Sequence, residues 1–179
     1  EMIDIQKEIE KKFPNMNKKE NFLKKSLFKI AKKIVHEDSI NQFLTQNSHL
    51  KGFEFVDAVL DYFDFDYAVS SNDLQNIPTS GKVVIIANHP LGGLDALCLL
   101  RLIGQVRKDV KIVANDFLAG FDALNSLIIT IDNYKLKQSK SDIKKIYEAL
   151  NNEEALIIFP AGEVSRATTK GIKDPTWNK

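Results

Sequence analysis

Apolar residues recur at three- and four-residue spacing over residues 21–36. Leu23, Leu27, Ile30, Ala31 and Ile34 fall on one stripe of a helix, with Phe28 and Val35 at its flanks. Lys25, Lys29, Lys32 and Lys33 take the opposite arc. Residues 39–63 also read as helical, because Phe53, Val56, Val59, Leu60 and Phe63 keep the same spacing. Asp64 and Asp66 then interleave with Phe65 and Tyr67, a change towards period two that predicts a strand over 65–70. Pro78 and Gly81 mark a loop.

Beyond that loop the pattern alternates. Residues 83–87 form a compact β-branched run, and 95–105 form a helix that is apolar on nearly every side. Residues 110–114 and 127–131 read as strands, with a short helix over 117–124 between them. Residues 141–150 are amphipathic, with a cap expected at Ser139 or Ser141, and 155–159 make the last strand. Strand–helix alternation with short apolar strands predicts an α/β fold, a mixed but largely parallel layered sheet flanked by helices. We divide the chain into a Lys-rich helical segment (1–63) and an α/β domain (64–179). Residues 168–179 show no convincing element. An α/β domain ending just past a strand's loop looks unfinished, so its C-terminal part is expected to be missing.

Composition narrows the class. The 179 residues, 44 % hydrophobic and 27 % charged, are those of an ordinary folded domain. The single cysteine, Cys98, excludes an internal disulfide framework and suits a reducing compartment. It is expected to be a small hydrophobe of the apolar helix. No apolar run approaches the ~20 residues of a bilayer span, and the first residues carry no signal-peptide pattern. The net charge of +1 gives the molecule no general attraction for polyanions, and no nucleic-acid partner is expected. That charge is unevenly spread: residues 11–33 hold nine lysines and one acid, Glu20, which leaves the remainder net acidic. The lysine arc fits either a solvated helix face or an interfacial helix with lysines near anionic headgroups.

Two loops carry candidate chemistry. The first, residues 87–95, reads Ala-Asn-His-Pro-Leu-Gly-Gly-Leu-Asp and joins a buried strand to the apolar helix. Pro90 ends the ladder, and Gly92 and Gly93 let backbone approach a ligand. Asp95 can cap the helix, or fold back on His89 and orient it as a general base. Backbone N–H groups near Gly92 and Gly93 are candidates for stabilising an oxyanion. His36 and His49 sit in polar surroundings and are expected at the surface. The second loop, residues 159–166, reads Phe-Pro-Ala-Gly-Glu-Val-Ser-Arg and also follows a strand, with Lys170 and Lys173 beyond it. Ligands of open α/β sheets sit beyond the carboxyl ends of strands, so the two loops share a mouth if their strands are parallel neighbours. An ordinary turn with a basic tail is the alternative.

Together the loops resemble the first and third signature blocks of the glycerolipid acyltransferase superfamily. Asn88-His89 and Asp95 match the first block, with five intervening residues where four are usual. Phe159-Pro160, Gly162, Ser165 and Arg166 resemble the third, with Ala161 at the usual glutamate. These departures resemble a bacterial, hemolysin-like branch that includes lyso-ornithine-lipid O-acyltransferases. The resemblance spans residues 81–166.

It implies His89 as general base and Asp95 as its orienter, with Asn88, Gly92, Gly93, Phe159, Pro160, Gly162, Glu163, Ser165 and Arg166 at the substrate. It implies no metal and no cofactor; acyl carrier protein or coenzyme A brings the acyl thioester. The second block should fall near 127–134, where Asp132, Asn133 and Tyr134 stand and no arginine does. The implied acceptor is therefore a lyso-lipid, a lysophospholipid or one with another headgroup such as an amino acid, in preference to glycerol phosphate. The fourth block has no counterpart. The implied setting is an anionic membrane surface, at the inner face of the cell membrane. Two rivals stand beside this O-acyltransferase: a lipid ester or thioester hydrolase using the same histidine, and a non-catalytic lipid- or phosphate-binding module.

Overall fold

The computed structural model describes residues 37–114, 120–131, 140–162, 164–168 and 171–177. The lysine-rich stretch 11–33, the helix expected over 21–36 and His36 lie outside them. The chain divides into two compact units, Glu1–His49 and Leu50–Lys179. In the first, helix α1 (Glu37–Gln46) ends where Asn47 donates from both its backbone and its side-chain amide to the Phe43 carbonyl. His49 is exposed, as expected.

The second unit begins with α2 (Gly52–Tyr62), which buries Phe55, Val56 and Leu60. The helix expected over 39–63 is thus two helices. Gly52 takes a positive φ of 56° where α2 begins. The strand predicted over 65–70 does not form. Asp64 turns the backbone with φ 48°, and the following residues pair with no strand of the sheet. Alternating side chains alone cannot make a strand without a ladder partner. The segment leads instead to a short helix, α3 (Ser71–Gln75), whose first turn is capped by Ser70 Oγ accepting from Asp73 N–H at 3.1 Å.

The sheet follows the predicted alternation closely. Strand β1 (Val83–Ile86) leads to α4 (Gly93–Val106), then β2 (Val110–Ala114), a 3₁₀ turn (Asp122–Leu124), β3 (Ile128–Thr130), α5 (Lys140–Asn151) and β4 (Ala155–Ile158). Residues 117–119 of the expected short helix and the candidate cap Ser139 lie outside the described residues. Spatial order is β1-β4-β2-β3 and every pair is parallel. The expected mixed character is absent from this sheet. β1 to β2 and β3 to β4 cross in opposite directions, and right-handed crossovers therefore put α4 and α5 on opposite faces. Val113, Ile129 and Leu156 pack with Ala149 of α5 on one face. Val110, Ile112, Ala155 and Ile157 point to the other and are fully buried. Val84 and Ile86 share the α5 face but remain exposed, because α5 lies over β4 and β3 and β1 is the edge strand.

One finding was not expected over 168–179. After β4 the chain forms an antiparallel hairpin, β5 (Arg166–Thr168) with β6 (Gly171–Lys173). At the amino ends of the strands, Arg107 is buried and bonded on every side. It makes a two-pronged contact with Asp109 at 2.7 Å and donates to the carbonyls of Gly81 and Glu153 at 2.8 Å. One guanidinium thus ties together the approaches to β1, β2 and β4.

Candidate active site

β1 and β4 are parallel neighbours, with Ile86 opposite Ile158. Their carboxyl ends release the 87–95 and 159–166 loops side by side, so both loops share one mouth. The loops touch. Ser165 N–H donates to the His89 carbonyl at 2.9 Å, and the His89 ring stacks on Phe159 at 4.0 Å between centroids. The Val164 side chain also lies over Gly92, 3.5 Å from where a Cβ there would sit.

Gly92 is the N-cap of α4, with φ 72° and ψ −132°, a conformation that L side chains rarely adopt. This turn lets the chain double back, so that Asp95, in the first turn of α4, faces the loop that precedes it. Asp95 Oδ2 accepts from Leu91 N–H at 2.7 Å and lies 3.4 Å from His89 Nδ1. Its carboxylate therefore meets the imidazole and holds the Leu91 backbone ahead of the helix, while the N-cap position expected for it is taken by Gly92. At 3.4 Å, to an oxygen already engaged by Leu91, the His89 contact is electrostatic and not an aligned hydrogen bond. Nδ1 is buried and has no better acceptor among the described residues.

Burial lowers the His89 pKa below the ordinary imidazole value; the Asp95 charge and its contact oppose that, and burial prevails. The ring is consequently neutral at neutral pH. A proton on Nδ1, towards Asp95, leaves Nε2 as the acceptor. Burial also pushes the Cys98 thiol up, which keeps it protonated and unreactive in its helix.

On the second loop, Gly162 N–H donates to the Phe159 carbonyl at 3.0 Å, closing a tight turn through Pro160 in which Gly162 takes φ 69°. Gly93 opens α4 beside this turn. Asn88 and Ser165 face one another through a residue that sequence reasoning missed, Asp174. Asn88 Nδ2 donates to Asp174 Oδ2 at 2.8 Å and Ser165 Oγ to Asp174 Oδ1 at 2.5 Å. Arg166 opens β5. Glu163, Lys170, Asp132, Asn133 and Tyr134 lie outside the described residues. Among the described residues no group of three or more His, Cys, Asp or Glu side chains could hold a metal ion, and no helix is long and apolar enough to cross a membrane.

The histidine–aspartate pair thus stands at the carboxyl ends of a parallel sheet in an α/β protein. The family model described as "Acyltransferase" matches residues 8–179, and the chain belongs to that family. Two curated relatives carry the name lyso-glycine lipid O-acyltransferase. That of Bacteroides thetaiotaomicron is 32 % identical over 179 residues, 99 % of this chain and 64 % of the relative. That of Phocaeicola vulgatus is 32 % identical over 180 residues, 99 % of this chain and 62 % of the relative. The chain thus spans under two-thirds of the length of either. No solved structure matches it.

Proposed function

We propose that this protein is an O-acyltransferase that moves a fatty acyl group from a thioester onto the hydroxyl of a lyso-lipid bearing an amino-acid headgroup, with His89 as general base. The observation that carries this reading is the meeting of His89 and Asp95 at the shared mouth of two loops. The names of the two relatives support the acceptor class, and the unmatched arginine of the second block agrees with it.

His89 Nε2 takes the acceptor's hydroxyl proton as that oxygen attacks the thioester carbonyl. The tetrahedral oxyanion collapses, the C–S bond breaks, and the imidazolium returns its proton to the departing thiolate. Asp95 holds the ring and favours the imidazolium as it forms. Backbone N–H groups near Gly92 and Gly93, where α4 begins, suit the developing oxyanion. Gly162 and the turn around it, with Asn88, Phe159, Pro160, Glu163, Ser165 and Arg166, hold the acceptor's polar end. Acyl carrier protein or coenzyme A delivers the acyl group. The lyso-lipid reaches the mouth from an anionic membrane surface at the inner face of the cell membrane, and two exposed apolar residues at its rim, Leu91 and Val164, suit that approach.

The test is incubation of the full-length protein with labelled acyl-acyl carrier protein or acyl-coenzyme A and a panel of lyso-lipids, followed by lipid mass spectrometry. Acylated lyso-glycine lipid is the expected product. Free fatty acid without acylated lipid would make the protein a hydrolase, and vesicle binding without thioester consumption would make it a binding module.

A further inference from the structure

The β5–β6 hairpin brings residues nine positions apart in sequence to one place. Arg166 pairs with Lys173, so Ser165 and Asp174 are the next pair outward, at the open end of the hairpin beside the mouth. Asp174 uses both carboxylate oxygens, one for Ser165 Oγ and one for Asn88 Nδ2. Ser165 in turn gives its backbone N–H to the His89 carbonyl. We propose that Asp174 is a positioning residue, which locks the Asn88–His89 backbone against the second loop and so fixes the direction of the His89 ring.

The His89 ring itself has one stacking neighbour, Phe159, and one long contact with Asp95. Both act on the ring and neither holds the backbone that carries it. The His89 backbone carbonyl accepts from Ser165 N–H on the hairpin side, where the Asp174 carboxylate ties the Ser165 hydroxyl to the Asn88 amide. Alanine at 174 removes the acceptor of both the Asn88 amide and the Ser165 hydroxyl, whereas asparagine can keep both contacts, its Oδ1 accepting from Asn88 and its Nδ2 donating to the Ser165 hydroxyl. A displacement of about 1 Å at a catalytic group can cost up to ~10²-fold in rate, so loss of this lock acts on turnover more than on substrate binding.

This inference rests on the reading of His89 as the base, and the experiment separates the two. In the full-length protein, the His89 ring cross-peak is followed by NMR alongside acyl transfer. Asp174→Ala should shift or broaden that peak and lower kcat about 10-fold or more, with KM changed by less than about twofold. The exchange Asn88→Asp with Asp174→Asn restores the hydrogen bond with donor and acceptor reversed, and should return the peak towards its original position. An unmoved His89 peak in Asp174→Ala overturns the proposal whatever the activity does. A moved peak with full activity keeps Asp174 as the positioning residue and removes His89 as the base. Should Asp174→Ala not fold, Asp174→Leu, which keeps the size and removes both contacts, carries the same comparison.

Discussion

At the scale of the residue, the decisive balance is between burial and charge at His89. Burial favours the neutral ring, Asp95 favours the protonated one, and burial wins. The acidic limb of kcat/KM should therefore fall below the ordinary imidazole value of ~6.5. Asp95→Asn removes the opposing influence, so it should move that limb to still lower pH while reducing the rate at neutral pH by about 10-fold or more. A pH–rate profile of the two proteins checks both statements; a limb that rises in the variant contradicts them. The same balance acts on stability. As pH falls below ~6.5 the unfolded chain takes up this proton before the folded one does. The contribution is thus whole above ~6.5 and is lost from there down to the folded value.

Gly92 is a second residue with a defined cost. Its Cβ would meet Val164 only at ordinary contact distance, so Gly92→Ala pays mainly in backbone strain, about 1–3 kcal/mol. Chemical denaturation measures it, and an unchanged midpoint would show that the turn relaxes freely.

At the scale of the element, the two ends of the sheet have different tasks. The carboxyl ends of β1 and β4 hold the candidate site, and the amino ends are bound together by Arg107. Arg107→Ala leaves the Gly81 and Glu153 carbonyls and the Asp109 carboxylate without their donor, at a cost of about 2–4 kcal/mol. The melting temperature should fall while kcat/KM per folded molecule is unchanged. The Arg107 guanidinium also holds the Asp109 carboxyl below its usual range. That part of the stability is present above the usual carboxylate value of ~3.9 and is lost as pH falls below it.

The elements were legible in the sequence where hydrophobic pattern and partner agree. β1, β2, β3 and β4 are short β-branched runs that bury against each other, and α4 and α5 show helical spacing. The segment 65–70 shows the limit, since Phe65 and Tyr67 alternate with polar neighbours as a strand would but no ladder is within reach. The β5–β6 hairpin shows the converse. Each of its strands is three residues long, too short for a period-two pattern to stand out. The only local hint was Gly171, whose φ of 114° favours glycine at the turn. Asp174 was invisible for that reason, because nothing in its neighbours' pattern predicts its return to Ser165. His89 and Asp95 were legible because a glycine turn between them is a local device, and six positions suffice to bring them face to face.

At the scale of the whole molecule, the proposed function has the mouth meet a lipid substrate at a membrane surface. Leu91 and Val164 are 53 % and 43 % exposed at its rim, and burying a Leu or Val side chain contributes roughly 1.5–3 kcal/mol. Replacing both by aspartate should weaken binding to vesicles containing anionic lipid by about 10-fold or more. Sedimentation with such vesicles measures this, and unchanged binding would place the lipid contact elsewhere.

The most direct measurement is single-turnover acyl transfer by the full-length protein and its His89→Ala variant, with an acyl thioester and lyso-glycine lipid at saturation. The account predicts a rate lower by ~10²–10⁴-fold in the variant, with an unchanged melting profile. A variant that still acylates the lipid at most of the original rate would contradict it.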